Sequence, residues 1–268
     1  MGCILSYLTP LRSDLKLSII LSLLEGKKKL AELRDETNTR ETTILHVIKE
    51  LDQQLDLIKK SDNTYQLTSL GVLEAQICKG CYQSFNVLKK YKDFWLTHDL
   101  SAIPPALLMR IGNLADSDLV KSTKVELQKV HETGLDMLRA SKNISAASPI
   151  VHHDHTKVVA EILRQGGKVN LIVTSEVLEN ISRMDEYSEE IREHMSYGCI
   201  NMYLNNDLRV SLTVTEEIWA LGLFSLTGEY DYNNDLRGNG EEGLEWGREL
   251  FRNILAQSTK VQQLDGKV

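Results

Sequence analysis

The chain has 268 residues, 42% of them hydrophobic and 26% charged, with a formal net charge of −7. That composition belongs to an ordinary folded protein, long for a single core and comfortable for two domains. It excludes a protein that coats nucleic acid by bulk charge, and no apolar run approaches the ~18 residues of a membrane span.

The charge is unevenly spread. Residues 1–92 hold 14 Lys and Arg against 11 Asp and Glu, whereas residues 93–268 hold 17 against 27. A mildly basic N-terminal part is joined to a clearly acidic remainder. The opening MGCILSYLTP has no basic n-region and no small-residue cleavage site, so it does not read as a signal peptide. Gly2 and Ser6 match the myristoylation pattern, against the ordinary alternatives of a tail or a segment packed on a partner subunit. Four cysteines (Cys3, Cys78, Cys81 and Cys199) without a secretory signal predict reduced thiols and a cytoplasmic protein with no membrane partner.

Apolar spacing predicts a first helix over 13–24, N-capped by Ser13 and ended by Gly26. Lys27, Lys28 and Lys29 read as a connector. A second helix runs from Leu30 to Glu36 with Leu30 and Leu33 inward. Asn38 reads as the N-cap of a third helix, with Glu41 completing a capping box. In that third helix Ile44, Ile48, Leu51 and Leu55 form the buried stripe, broadened by Leu45 and Val47. The opposite face carries Thr39, Arg40, Thr42, Thr43, His46 and Lys49. Short hydroxyls and long basic side chains at the start of a helix suit base edges and phosphates in a major groove. The plain alternative is the solvated face of an ordinary helical domain.

The next segment sharpens that choice. Leu55–Ile58 and Thr64–Leu67 read as two strands joined by the basic tip Lys59-Lys60-Ser61-Asp62-Asn63. Three helices, a basic-tipped hairpin and a YxLTxxG return are similar to winged-helix regulators of the ArsR and MarR type. In that geometry Lys59 and Lys60 reach a phosphate or the minor groove. Double-stranded DNA is therefore the expected partner of Thr39, Arg40, Thr42, Thr43, His46, Lys49, Lys59 and Lys60.

Residues 72–95 read as one long helix with an apolar stripe that includes Leu73, Ile77, Cys81, Phe85 (or Tyr82), Leu88 and Phe94. Such a helix leaving a winged domain predicts a homodimer, since two half-sites match a two-fold axis. Cys78 and Cys81 share a face, as core residues, a redox pair or half of a zinc site. Gly80 between them is a place for a kink. The expected organisation is α+β: a winged helix-turn-helix over 1–74, a linker and dimerisation helix over 75–97, and an α/β regulatory domain over 98–268.

Beyond His98, residues 119–139 read as a helix. Strands follow at Ile144–Ile150, Lys168–Thr174, Ile200–Leu204, Leu208–Val214 and Ile218–Leu226. Helices are expected at His153–Gln165, Ser175–Arg183, Tyr187–Met195 and Glu241–Gln257. This alternation predicts a sheet with helices on its faces. The stretch 228–243, GEYDYNNDLRGNGEEG, reads as a surface loop folded over an effector pocket.

The histidine-rich run Val151–Lys157 sits at the carboxyl end of a strand, where ligands of open α/β sheets bind. His152, His153, His155 and Lys157 are the expected ligand-binding residues for a small-molecule effector. Three readings stay open there: an anion site, a metal held by His152, His153, Asp154 and His155, or a polar surface turn. His155-Thr156-Lys157 starts the HxKxxxxD pattern of phospholipase-D-type enzymes, but position 162 is Ile and no second HxK occurs. No phosphate loop, nucleophile elbow or EF-hand spacing is present, so no catalytic residue, assigned metal or cofactor is expected. A metal-binding or enzymatic α/β domain, with the winged helix used for protein contacts, remains the alternative.

Three segments together resemble a known family: FWLTHDLSAIPPALLMRIGNL (94–114), the SPIVHHD…GGKVNLIVT unit (148–174), and SLTVTEEIWALGLFSLTGEYDYNNDLRG…LEWGRELFRNIL (211–255). They resemble archaeal transcriptional regulators that pair an N-terminal winged helix with the domain named for the Fil-type methanogenesis regulatory proteins. The resemblance spans essentially the whole chain and implies a DNA-binding regulator with a C-terminal sensor. It implies no defined effector.

Overall fold

The computed structural model describes residue 10, residues 13–53 and residues 57–264. Leu55, expected in a buried stripe and at a strand start, lies outside the described residues, as do Gly2, Cys3 and Ser6. The chain forms two compact units, Met1–Asn86 and Val87–Val268. Among the described residues no helix is long and apolar enough to cross a membrane.

The first unit opens with α1 (Asp14–Leu24), whose N-cap Ser13 accepts from the Lys16 amide as expected. Lys28–Lys29 is not a plain connector. It forms a short strand, β1, with Lys28 opposite Tyr65 and Lys29 opposite Thr64. Helix α2 (Leu30–Thr37) ends on Asn38 in the left-handed conformation, φ 47°. Asn38 is therefore the C-cap of α2 and not the N-cap of the next helix, a role its short polar side chain also suits. The carbonyl of Arg40 instead accepts the first bonds of α3 (Glu41–Gln53), from the amides of Thr43 and Ile44. Ile44, Val47, Ile48 and Leu51 are buried, but Leu45 is 42% exposed and does not widen the stripe.

Strands β2 (Ile58–Ser61) and β3 (Thr64–Leu67) make a hairpin with β1 on its far edge, in the order β1-β3-β2. Its tip, Asp62-Asn63, has φ of 46° and 62°. Two positive φ values are what a two-residue type I′ turn requires, and the twist of that turn matches the strands. Leu17, Ile20, Leu33, Ile44, Leu51, Leu57 and Tyr65 fill one core.

Helix α4 (Ser69–Lys90) passes through Gly80 without a break and stops short of the expected 95. Tyr91 interrupts it, and a separate helix α5 (Lys92–Thr97) follows. In the second unit a short helix α6 (Pro105–Leu108) leads to strand β4 (Ser117–Lys121). The helix expected over 119–139 is thus only half helix: residues 119–121 belong to β4, an irregular stretch follows, and Lys129–Arg139 alone is helical, as α7. The remaining elements are β5 (Asn143–Ser148), α8 (His153–Arg164), β6 (Lys168–Val173), α9 (Ser175–Ser182) and α10 (Asp185–Ser196), then β7 (Ile200–Leu204), β8 (Val210–Val214), β9 (Trp219–Leu223), β10 (Asn234–Gly238), α11 (Glu241–Leu255) and β11 (Thr259–Lys260).

Eight strands form one sheet in the order β11-β7-β6-β5-β8-β9-β10-β4. β5, β6 and β7 run parallel, and every other neighbouring pair is antiparallel. Each face carries its own core, because successive strand residues point to opposite sides. On β6, Ile172 joins the core with α11, Trp219 and Trp246, while Val169 and Val173 join the core with α8, α9 and α10. A Cβ on Gly243 would lie 2.3 Å from Trp219 Nε1, so the glycine in LEWGRELF's helix lets α11 sit against that indole.

Candidate nucleic-acid interface and a histidine-lined cavity

Thr42, His46 and Lys49 lie on the face of α3 opposite its buried stripe, as a 3.6-residue repeat dictates, and are exposed. Arg40 and Thr43 are exposed beside them, whereas Thr39 is half-buried. The Thr39 hydroxyl donates to the Thr37 carbonyl at 3.0 Å and is occupied within the protein. Neighbouring acids are engaged: Glu41 pairs with Arg34 at 3.0 Å and Glu50 with Lys16 at 2.8 Å. Among the described residues, no ion pair ties down Arg40, Lys49, Lys59 or Lys60.

Lys59 and Lys60 are both exposed but leave the hairpin on opposite faces. Lys59 stands opposite Gln66 on the outer face, while Lys60 stands opposite Tyr65 with its ammonium 6.0 Å from that ring. The tip therefore offers one freely projecting cation and one laid across an aromatic ring.

The second unit holds a cavity of about 270 Å³. Its floor is a patch of the sheet: Ser211 and Thr213 of β8, Ala220 of β9, and Asp235 and Arg237 of β10. The register aligns Thr213, Ala220 and Arg237 in one row across three strands. Its wall is α7, with Val130, His131 and Gly134, and the entry to α8, with His152 and His155. Tyr230, Tyr232 and Asn233 close one side, so the stretch 228–243 does reach the cavity as expected. It is not a surface loop throughout, because its middle is β10, paired on both edges.

His155 is largely buried and its Nε2 has no hydrogen-bond partner among the described residues. Burial, helped by the neighbouring His131, pushes its imidazole down to about 4, so it is neutral at physiological pH. Burial and then His131 also lower His152, and the bond from His131 lowers Asp154. Arg237 donates to Asp235 at 2.9 and 2.7 Å and to the Val130 carbonyl at 2.8 Å. Burial pushes the Asp235 carboxyl up, and Arg237 pulls it back. Tyr230 is raised by burial and by the Asp235 charge, so its hydroxyl stays neutral, hydrogen-bonded with Ser211. A site with the neutral His155 imidazole, a phenol and a paired guanidinium can orient a small polar molecule through several directional bonds.

Of the four expected ligand residues, the cavity gathers His152 and His155. His153 turns away, 3.8 Å from Glu186 and edge-on to Tyr187, and Lys157 is exposed outside the lining. Helical geometry separates them, since adjacent residues on a helix do not share a face. His131, Tyr230, Asp235 and Arg237 escaped the sequence reading because they come from elements far apart in the chain. Cys78 is buried and Cys81 half-buried, both as free thiols. Burial pushes the Cys78 thiol up to about 11, the opposite of what a reactive thiolate needs.

The model of the N-terminal domain of methanogenesis regulatory protein FilR1 matches residues 7–84, and that of its middle domain matches residues 127–257. The chain is 31% identical over 256 residues to methanogenesis regulatory protein FilR1 of Methanothrix harundinacea (strain 6Ac). That alignment covers 94% of this chain but only 57% of that protein. Among solved structures, TrmBL2, described as an archaeal chromatin protein with a novel mode of DNA binding, aligns over 96% of this chain and 99% of its own, at 14% identity and a TM-score of 0.45. NucT from Helicobacter pylori aligns over 54% of this chain and 98% of its own, at 14% identity and a TM-score of 0.41. At such TM-scores neither likeness bears on function.

Proposed function

The chain belongs to the archaeal regulator family of methanogenesis regulatory protein FilR1, and from that premise we propose that it is a DNA-binding transcription regulator. In this reading residues 13–71 form a winged helix-turn-helix. Helix α3 enters the major groove, and the β2–β3 hairpin is the wing that meets the backbone. The observation that carries it is the exposed face of Arg40, Thr42, Thr43, His46 and Lys49 set opposite a fully apolar stripe, with Lys59 projecting from the hairpin. Arg40 and the threonine hydroxyls suit base edges, and Lys49 and Lys59 suit phosphates.

We propose further that the protein acts as a homodimer through α4. Leu70, Leu73, Ile77, Phe85 and Leu88 are 43–66% exposed and, with Cys81, recur at three- and four-residue spacing along one helix face. A second copy of the same helix would cover that stripe and set two winged helices on one two-fold axis. The cavity of the second unit is, in this reading, the seat of a small-molecule effector. The helix shared by both units in the covalent chain is the route by which its occupancy alters half-site spacing.

The test is selection of bound fragments from the source genome by the purified protein, with competitor DNA at moderate salt, since purely electrostatic binding fades as salt rises. A palindromic site enriched by the native protein and lost with Arg40→Ala is the expected result. Operator binding unchanged by both Arg40→Ala and Lys59→Ala would overturn the assigned face.

A further inference from the structure

The cavity carries a second feature that the effector reading does not use. His131 of α7 and His152 and Asp154 at the entry to α8 offer three ligand atoms that all lie within 4.8 Å of one another. His131 Nε2 is 3.3 Å from Asp154 Oδ2, and His152 Nδ1 is 3.6 Å from the same oxygen. Bonds of ~2.0–2.1 Å around a tetrahedral metal put neighbouring donor atoms roughly 3.3–3.4 Å apart. The first of these separations is already that of a coordination shell, and the second is only slightly wider.

The surroundings fit the same occupant. The rings of His131 and His152 lie 3.8 Å apart and those of His131 and His155 lie 4.9 Å apart, so two imidazoles meet one carboxylate and a third stacks behind them. Such a cluster is unfavourable if its rings are charged and favourable if neutral rings share a cation. The His152 Nδ1 lone pair is only loosely used, accepting from the Asp154 amide at 3.4 Å. His131, His152 and His155 all line the cavity. His155 Nε2, buried and without a partner among the described residues, faces the same space near Gly134 and Arg237.

We propose that His131, His152 and Asp154 bind one divalent transition-metal ion of the zinc class, with its remaining coordination toward the cavity. Two imidazoles and one carboxylate select zinc, nickel, cobalt or ferrous iron over magnesium or calcium, which take oxygen ligands. The bound metal leaves a position for water or for an oxygen of a cavity ligand, which converts a neutral polar pocket into one that prefers anions. His131 is what sequence order hides, since it reaches the cluster from another helix. The inference stands apart from the DNA reading, because metal binding is measured on the free protein and can fail or hold whatever the operator experiment returns.

The experiment uses the full chain stripped with a chelator and titrated with Zn²⁺ by calorimetry, and with Co²⁺ by absorption spectroscopy. One ion per chain is expected, with a cobalt spectrum lacking thiolate charge-transfer bands. His131→Ala, His152→Ala and Asp154→Asn should each weaken binding by more than about tenfold. His153→Ala, which alters the same segment but a side chain aimed at Glu186, should leave it unchanged. Thermal melting of each variant separates lost ligation from lost folding. The proposal is overturned by folded native protein that binds no stoichiometric ion. It is equally overturned if His131→Ala leaves affinity intact, if His153→Ala weakens it as much, or if thiolate bands implicate Cys78 and Cys81.

Discussion

Lys59 and Lys60 are adjacent in sequence and physically unlike. The two-residue period of a strand sends Lys59 outward with Gln66 and lays Lys60 along Tyr65. Both carry the same charge, but only Lys59 is free to follow a phosphate without giving up a contact. Lys59→Ala is expected to lower the salt dependence of operator binding by about one phosphate contact, and Lys60→Ala by less. Equal slopes for the two variants would contradict that ranking. Glu74 of α4 presents the opposite case, a charge with nowhere to go. It is 7% exposed, and neither carboxylate oxygen has a partner among the described residues. Burial pushes its carboxyl above the usual range. The folded protein then holds a proton that the unfolded chain releases near pH ~4.3, so stability is full below that value and falls as pH rises through the raised one. Glu74→Leu is expected to stabilise the protein at pH 7 by about 1–3 kcal/mol, with the gain vanishing near pH 4. Denaturant midpoints at the two pH values measure it.

Single elements are fixed by a few backbone requirements. The hairpin closes because Asp62 and Asn63 tolerate positive φ, which orients the strands so that Ile58 and Leu67 face the core. Where α4 starts, Gly71 lies under the chain entering β2, and a Cβ there would sit 2.1 Å from the Leu57 carbonyl oxygen. That oxygen also accepts from the Thr68 amide at 2.9 Å, so it cannot swing away freely. Gly71→Ala should therefore cost about 1–3 kcal/mol despite the better helix propensity of alanine, read as a lower urea midpoint. The segment 117–121 shows tertiary pairing prevailing over local pattern. Its charged and apolar residues also fit a helix, but pairing with the whole length of β10 decides for a strand.

At the scale of the molecule, the eight-stranded sheet divides two cores, and the cavity opens where α7 and the entry to α8 stand over β8, β9 and β10. The floor depends on a close approach: a Cβ on Gly222 would lie 2.3 Å from the Tyr230 hydroxyl oxygen. Small residues on β9 thus make room for the phenol that closes the cavity. The apolar stripe of α4 belongs to the same scale, because five large side chains along one helix face stay 43–66% exposed among the described residues. Ile77→Asp combined with Phe85→Asp is expected to leave a folded monomer by analytical ultracentrifugation and to weaken operator binding steeply, since one half-site alone remains. A dimer that survives both aspartates would remove α4 as the interface.

The sequence by itself determined much of this protein. Period-3.6 and period-2 spacing located α1, α2, α3, the hairpin and most of the C-terminal strands, because each element must bury one face whatever its neighbours are. The same spacing assigned the polar face of α3, and the strand–helix alternation put His152, His153, His155 and Lys157 at a strand's carboxyl end, of which the cavity takes only His152 and His155. Other features were decided only by packing. Asn38 can cap either of two helices, and the geometry of the turn assigns it to α2. Lys28 and Lys29 become a strand only because β3 offers them an edge. His131, Tyr230, Asp235 and Arg237 carry no local mark of a shared cavity, since the row across β8, β9 and β10 and the approach of α7 to α8 arise from strand register and helix packing. Local sequence fixes which face of an element is buried, and the tertiary fold alone fixes what that face meets.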